Sequence, residues 1–162
     1  MNLRLPIKGE IVDLVPFTRE LWHQFWKDFK RDREESREPY RYDPVFTDRM
    51  FDIRMSQKER KHFAICRGEK VVGEIHLEGI DHNWKKACFG IEMINGHARN
   101  KGYGTEAIGL LIGFAFDKLD LNLLATTALA SDEKYCHILE KKGFFCLEER
   151  DGCRYYLLGK DQ

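Results

Sequence analysis

Arg99-Asn100-Lys101-Gly102-Tyr103-Gly104-Thr105-Glu106-Ala107 is the stretch on which the reading of this chain turns. An apolar, strand-like run (Phe89, Ile91, Met93, Ile94) enters it, and a strongly apolar, helix-like run from Ala107 to Phe116 leaves it. Glycines at 102 and 104 let the backbone pass where a side chain would obstruct. The first N–H groups of a helix have no intrahelical partner, and the helix dipole adds partial positive charge at the same end. A loop of this kind is built to receive a phosphate or diphosphate.

Working outward, the period of the apolar residues changes to that of strands at Lys61. His62–Arg67 and Val71–Ile80 flank a tight turn at Gly68, and a third strand runs from about Lys86 to Ile94, which together read as an antiparallel meander. Beyond the glycine loop the pattern predicts a helix from Gly104 to Leu119, a strand from Leu123 to Leu129, and a helix from Asp132 to Lys142 stopped by Gly143. Phe144–Arg150 and Cys153–Leu158 form a closing hairpin around Asp151-Gly152. Upstream, Glu10–Phe17 reads as a first strand. Thr18 begins a helix whose Leu21, Trp22, Phe25, Trp26 and Phe29 recur at core-facing spacing. The mixed-charge run Lys30–Glu38 reads as solvated, and Thr47 as the cap of a second short helix ending near Gln57. The expected fold is α+β: a mixed, mainly antiparallel sheet flanked by helices, in a single domain over residues 1–162.

Composition narrows the function. With 27 basic and 27 acidic residues among 162, nothing global draws the chain toward nucleic acid or an anionic membrane. The run Ala107–Phe116 is far shorter than a bilayer span, and the opening Met1–Glu10 segment lacks the apolar centre of a secretory signal. Five cysteines with no C-x-x-C spacing read as reduced packing thiols in a cytoplasmic protein, with neither a disulfide framework nor a metal site.

Gly102 to Ala107 also fits G-x-G-x-x-A, the dinucleotide fingerprint, but here it follows strands joined too tightly for parallel crossovers. The acid wanted at the end of the next strand is missing as well: Asp120 precedes that strand and Asp132 lies well past it. The context rejects a nicotinamide cofactor. Arg99 to Gly104 instead fills every position of R/Q-x-x-G-x-G/A entered from an antiparallel strand, and Leu139-Glu140-Lys141-Lys142-Gly143-Phe144 follows later. On these residues and the order of elements, the chain resembles the GNAT-type N-acetyltransferases over nearly its whole length. Its look is nearest the branch of ribosomal-protein N-terminal acetyltransferases, whose relatives also act on small amines and antibiotics.

The resemblance implies acetyl-CoA as cosubstrate and an amine as acceptor, joined by direct attack in a ternary complex. The diphosphate would lie on the loop from Arg99 through Asn100, Lys101, Gly102, Tyr103 and Gly104 to Thr105. Arg99 or Lys101 would either add charge or stay solvated. Met93, Ile94 and Asn95 would pair with the pantetheine arm, and an N–H at Met93 or Ile94 would polarise the thioester carbonyl. Many members place a tyrosine where this chain has Leu139; Tyr135, one turn earlier, is the substitute donor to the leaving sulfur, with Ser131 and Cys136 weaker ones. Asp132 stands where the family often has asparagine, and keeps the capping role.

For the base the chain offers Glu92, either a carboxylate made more basic by its apolar strand or an outward-facing acid at an edge. Glu74, His76 and Glu78 alternate on the neighbouring strand and share one face, which either lines the amine site or is the wet side of the sheet, as suits Glu78. The acceptor site would be shaped by the first helices and the Arg37–Phe46 loop. The expectation is a monomer or homodimer without nucleic-acid or membrane partners. A catalytically weak acyl-CoA-binding module is the alternative that the loss at Leu139 suggests.

Overall fold

One sheet organises the chain. Its strands are β1 (Ile7–Lys8), β2 (Asp13–Pro16), β3 (Lys61–Arg67), β4 (Lys70–Asp81), β5 (Lys86–Met93), β6 (Leu123–Leu129), β7 (Phe145–Arg150) and β8 (Cys153–Gly159), in the order β1-β2-β3-β4-β5-β6-β8-β7. The structure, a computed structural model, describes residues 5–30 and 40–161. The charged run from 31 to 38, with Arg37 at the head of the expected acceptor loop, lies outside those residues.

Neighbouring strands pair antiparallel except β5 and β6, which are parallel. A parallel pair needs a crossover, and the helix after the glycine loop, α3 (Tyr103–Gly113), supplies it. The β5–β6 ladder covers only Lys86–Cys88 against Leu123–Ala125, after which the two strands part. That split positions the site.

The two faces of the sheet are covered by different helices. On one, α3 buries Ile108 and Leu111, and the π-helical turn that ends it, Phe114–Lys118, sets the Phe114 ring 5.4 Å from that of Phe63. On the other lie α1 (Arg19–Asp28) and α2 (Pro44–Ser56), with Trp22 and Phe25 of α1 buried. The last helix, α4 (Glu133–Lys141), buries Cys136 and Leu139.

Three sequence expectations change. The strand expected over Glu10–Phe17 starts only at Asp13 and a further short strand, Ile7–Lys8, precedes it; between them the amides of Ile11 and Val12 both donate to Glu106 Oε1 at 2.8 Å. Thr47 is not a cap: Asp43 is, accepting from the amides of Val45 and Phe46, with Pro44 at the first helical position where its missing donor does no harm. Thr47 is buried one turn inside, where its carbonyl accepts from Trp22 Nε1 at 3.0 Å. The helix expected to Leu119 ends its α-helical part at Gly113.

Candidate active site

Where β5 and β6 part, a cleft of about 590 Å³ opens. Ile91 and Met93 wall it on one side, Thr127 and Leu129 on the other, and the start of α4 contributes Asp132 and Tyr135. The glycine loop forms one end. The first bond of α3 runs from the amide of Glu106 to the carbonyl of Gly102 at 3.1 Å, so the amides of Tyr103, Gly104 and Thr105 precede the helical ladder. Gly102 sits at φ +82°, a conformation that strains any residue with a Cβ.

Of the expected loop residues, Arg99, Asn100, Gly102, Gly104 and Thr105 line the cleft. Lys101 is exposed and Tyr103 turns away, its ring 5.5 Å beneath the Arg67 guanidinium; neither lines the cleft. The amide of Arg99 is committed to the short 3-10 turn Gly96–Ala98, donating to the Gly96 carbonyl at 3.1 Å. Asn95 caps that turn through its side chain, accepting from the Ala98 amide at 3.1 Å.

The strand side narrows one expectation. The amide of Ile94 donates to the Val72 carbonyl at 2.9 Å, toward β4, so that donor is already engaged within the sheet. Backbone groups alternate along a strand, so those of Met93 face the split. The Phe89 carbonyl faces it too and accepts from the Thr126 hydroxyl at 2.8 Å. Ile94 is buried, and neither it nor Asn95 lines the cleft.

Glu92 stands exposed at the rim, so the desolvation that an apolar strand suggests is absent there. The buried acid is its partner across the β4–β5 ladder, Glu74, which is 7% exposed and not on a wet face. Burial pushes the Glu74 carboxyl up, but hydrogen bonds from His62 and His76 outweigh it and hold the group at about 2. Burial also lowers His62 and outweighs the pull of the carboxylate, leaving that ring neutral near pH 7. His62 had no place among the sequence candidates. Its signal was the hairpin register, which puts it opposite His76.

Tyr135 reaches the cleft, and its hydroxyl engages Thr126; burial pushes the phenol up to about 12. Leu139 is fully buried core and does not line the cleft. Asp132 caps α4, accepting from the Tyr135 amide at 3.2 Å. Cys136 is buried with its thiol on the Leu129 carbonyl at 3.5 Å, and neither it nor Cys88 lines the cleft. Lys134, absent from the sequence candidates, does line it. A cleft with backbone donors at its loop end and at its strand edge suits an extended ligand carrying an anionic head.

Comparison with known proteins agrees. The family model described as acetyltransferase (GNAT) domain matches residues 12–145. The spermidine N(1)-acetyltransferase of Escherichia coli K12 is 35% identical over 88 residues, 54% of this chain and 46% of that protein. The chain thus spans about half the length of the curated relatives it matches. A dodecameric spermidine N-acetyltransferase from Vibrio cholerae shares the fold (TM-score 0.75, 16% identity, 94% of this chain and 96% of that one). So does a Campylobacter jejuni N-acetyltransferase in complex with acetyl coenzyme A (TM-score 0.63, 22% identity, 72% of this chain and 79% of that one). None of these points to the ribosomal-protein branch.

Proposed function

This chain belongs to the GNAT acetyltransferase family, and on that premise we propose that it transfers acetyl from acetyl-CoA to a primary amine by direct attack within a ternary complex. The observation that carries the reading is the split itself. It joins the open amides of Gly104 and Thr105 at one end to the free edge of β5 at Met93. The diphosphate lies on the first set, and Met93 N–H polarises the thioester carbonyl. Glu92, at the rim, meets the acceptor ammonium and takes its proton. Tyr135 donates a hydrogen bond to the departing sulfur. A phenol held at about 12 keeps its own proton and serves as a donor without surrendering it.

The acceptor class favoured is a small polyamine, supported by the likeness to the E. coli spermidine enzyme; a peptide N-terminus is the other choice. The proposed form is a monomer or homodimer, and five free cysteines suit the reducing cytoplasm. Sedimentation tests the first, and a dodecamer like that of the V. cholerae relative overturns it.

The deciding experiment has two steps. Calorimetry with acetyl-CoA tests the cleft. Release of CoA is then followed with spermidine, glucosamine and an alanyl peptide, for wild type, Glu92→Gln and Tyr135→Phe. Glu92→Gln is expected to lower turnover on the order of 10²–10⁴-fold with acetyl-CoA affinity kept. Tyr135→Phe should lower it less. Binding without turnover on any amine marks an acyl-CoA-binding module instead; absence of binding overturns both.

A further inference from the structure

Beside the rim of the cleft lies a buried carboxylate that the scheme above does not use. Oε2 of Glu74 accepts from His76 Nδ1 at 3.2 Å and also from His62 Nε2. His62 is walled by the rings of Phe17 and Trp22, centroids 5.3 and 5.1 Å away, and its Nδ1 is buried without a partner. As packing alone the cluster is a poor choice, since apolar residues of equal volume serve as well or better than buried charge. Each ring turns an N–H to the shared carboxylate, so Nε2 of His62 and Nδ1 of His76 carry protons. In a neutral imidazole with its proton on Nδ1, the other nitrogen presents a lone pair, which for His76 is Nε2.

That ring reaches across to the next strand. It lies over Gly90 of β5, where a Cβ would fall 2.7 Å from His76 Cε1 and 3.0 Å from Nε2. Gly90 belongs to the part of β5 beyond its ladder with β6. Glu92 pairs with Glu74 and Gly90 with His76, so Glu92 and His76 are diagonal neighbours on one face, within reach of long side chains.

We propose that His76, oriented by Glu74, is the second station of the acceptor's proton, which passes from the ammonium to Glu92 and from Glu92 to Nε2 of His76. This rests on the acetyltransferase reading. The ammonium gives one proton to Glu92, and its freed electron pair forms the C–N bond to the thioester carbonyl carbon. The C–S bond breaks with its pair leaving on sulfur, and the second nitrogen proton ends on that sulfur as CoA thiol. The first proton moves from carboxylate to imidazole and then to solvent at the exposed edge of His76. An imidazole ordinarily holds a proton about two pKa units more firmly than a carboxylate, so the hand-over runs downhill.

The charged groups around His76 suit the task. Glu74 and Glu78 flank it on β4, the latter 3.9 Å from Nε2 and bound to Arg60; Glu92 lies on β5 and His62 on β3. From α1 the cluster meets Trp22, while His23 is tied to Tyr42 and Asp48 on the far side. His76 acts through Glu92, and Glu74 through His76, so both are positioning residues.

The test uses the full chain with acetyl-CoA and spermidine, or the first amine of the panel that wild type acetylates. His76→Gln, which keeps a donor for Glu74, is expected to lower kcat on the order of 10²-fold with acetyl-CoA affinity unchanged. Added imidazole should restore part of the loss in His76→Gly. Nitrogen NMR of wild type, which needs no variant to fold, should show His76 protonated at Nδ1, and Glu74→Gln should lose that signature. Wild-type kcat in His76→Gln, or a wild-type His76 protonated at Nε2, overturns the inference. A wild type that binds acetyl-CoA yet acetylates no amine overturns the reading beneath it, and the relay with it.

Discussion

Gly90 carries no side chain because the imidazole of His76 fills the place where one would stand. Gly90→Ala sets a methyl 2.7 Å from Cε1 of a ring that Glu74 holds in position. Overpacking of this kind costs about 1–3 kcal/mol, expected as a lower denaturant midpoint with unchanged slope. Combining it with His76→Ser should recover most of that loss, because the two changes share one space. Glu74 sets a second expectation, for pH. Its folded value lies near 2 against an ordinary 4.5, so its stabilisation is present above 4.5 and is lost as pH falls toward 2. His62 is lowered from 6.5, so the unfolded chain takes up its proton first, and stability already declines below 6.5. Both groups make the protein acid-sensitive, and Glu74→Gln should flatten the curve of denaturant midpoint against pH below 4.5. At this scale the sequence showed that Glu74 and His76 share a face. It could not show that the face is buried, since the covering Trp22 comes from a helix some fifty positions earlier.

Between elements, Glu106 ties the first turn of α3 to the bend between β1 and β2. Glu106→Ala leaves the amides of Ile11 and Val12 without their acceptor, a loss of about 1–3 kcal/mol, whereas Glu106→Gln keeps a carbonyl oxygen for both and should cost less than half as much. Thermal unfolding of the two variants checks the difference. The same contact explains why the first strand was misjudged. Its late start at Asp13 is set by a side chain 95 positions away that takes the amide of Ile11, and no local pattern announces that. The meander from Lys61 to Met93 and the closing hairpin fell where turns and periodicity put them, because neighbours in sequence pair with each other there. Asp43-Pro44 is legible as a cap followed by a first helical residue, whereas Thr47, whose hydroxyl also suits a cap, is buried within the helix. That the glycine loop borders the cleft was legible because glycine spacing is a backbone property, whereas the outward turn of Lys101 and Tyr103 was not. Ile94 was not, because the direction of one amide depends on register with β4.

At the scale of the molecule, binding and folding are linked. A ligand at about 100 times its dissociation constant adds about 2.7 kcal/mol. For a chain of this size each kcal/mol moves the melting temperature by about 2–4 °C, so acetyl-CoA should raise it by about 5–10 °C and NADH should leave it in place. Scanning calorimetry with the two nucleotides reads the result directly. The brevity of the β5–β6 ladder has a consequence of its own. Joined only along Lys86–Cys88, the sheet is a pair of leaves bound at a short spine. A chain-like guest with amides of its own, such as the pantetheine arm, can slip between the leaves as an added page. In the proposed transfer, choice of cosubstrate would then depend on the beat of its amide groups, with the chemistry of the walls left to select the amine.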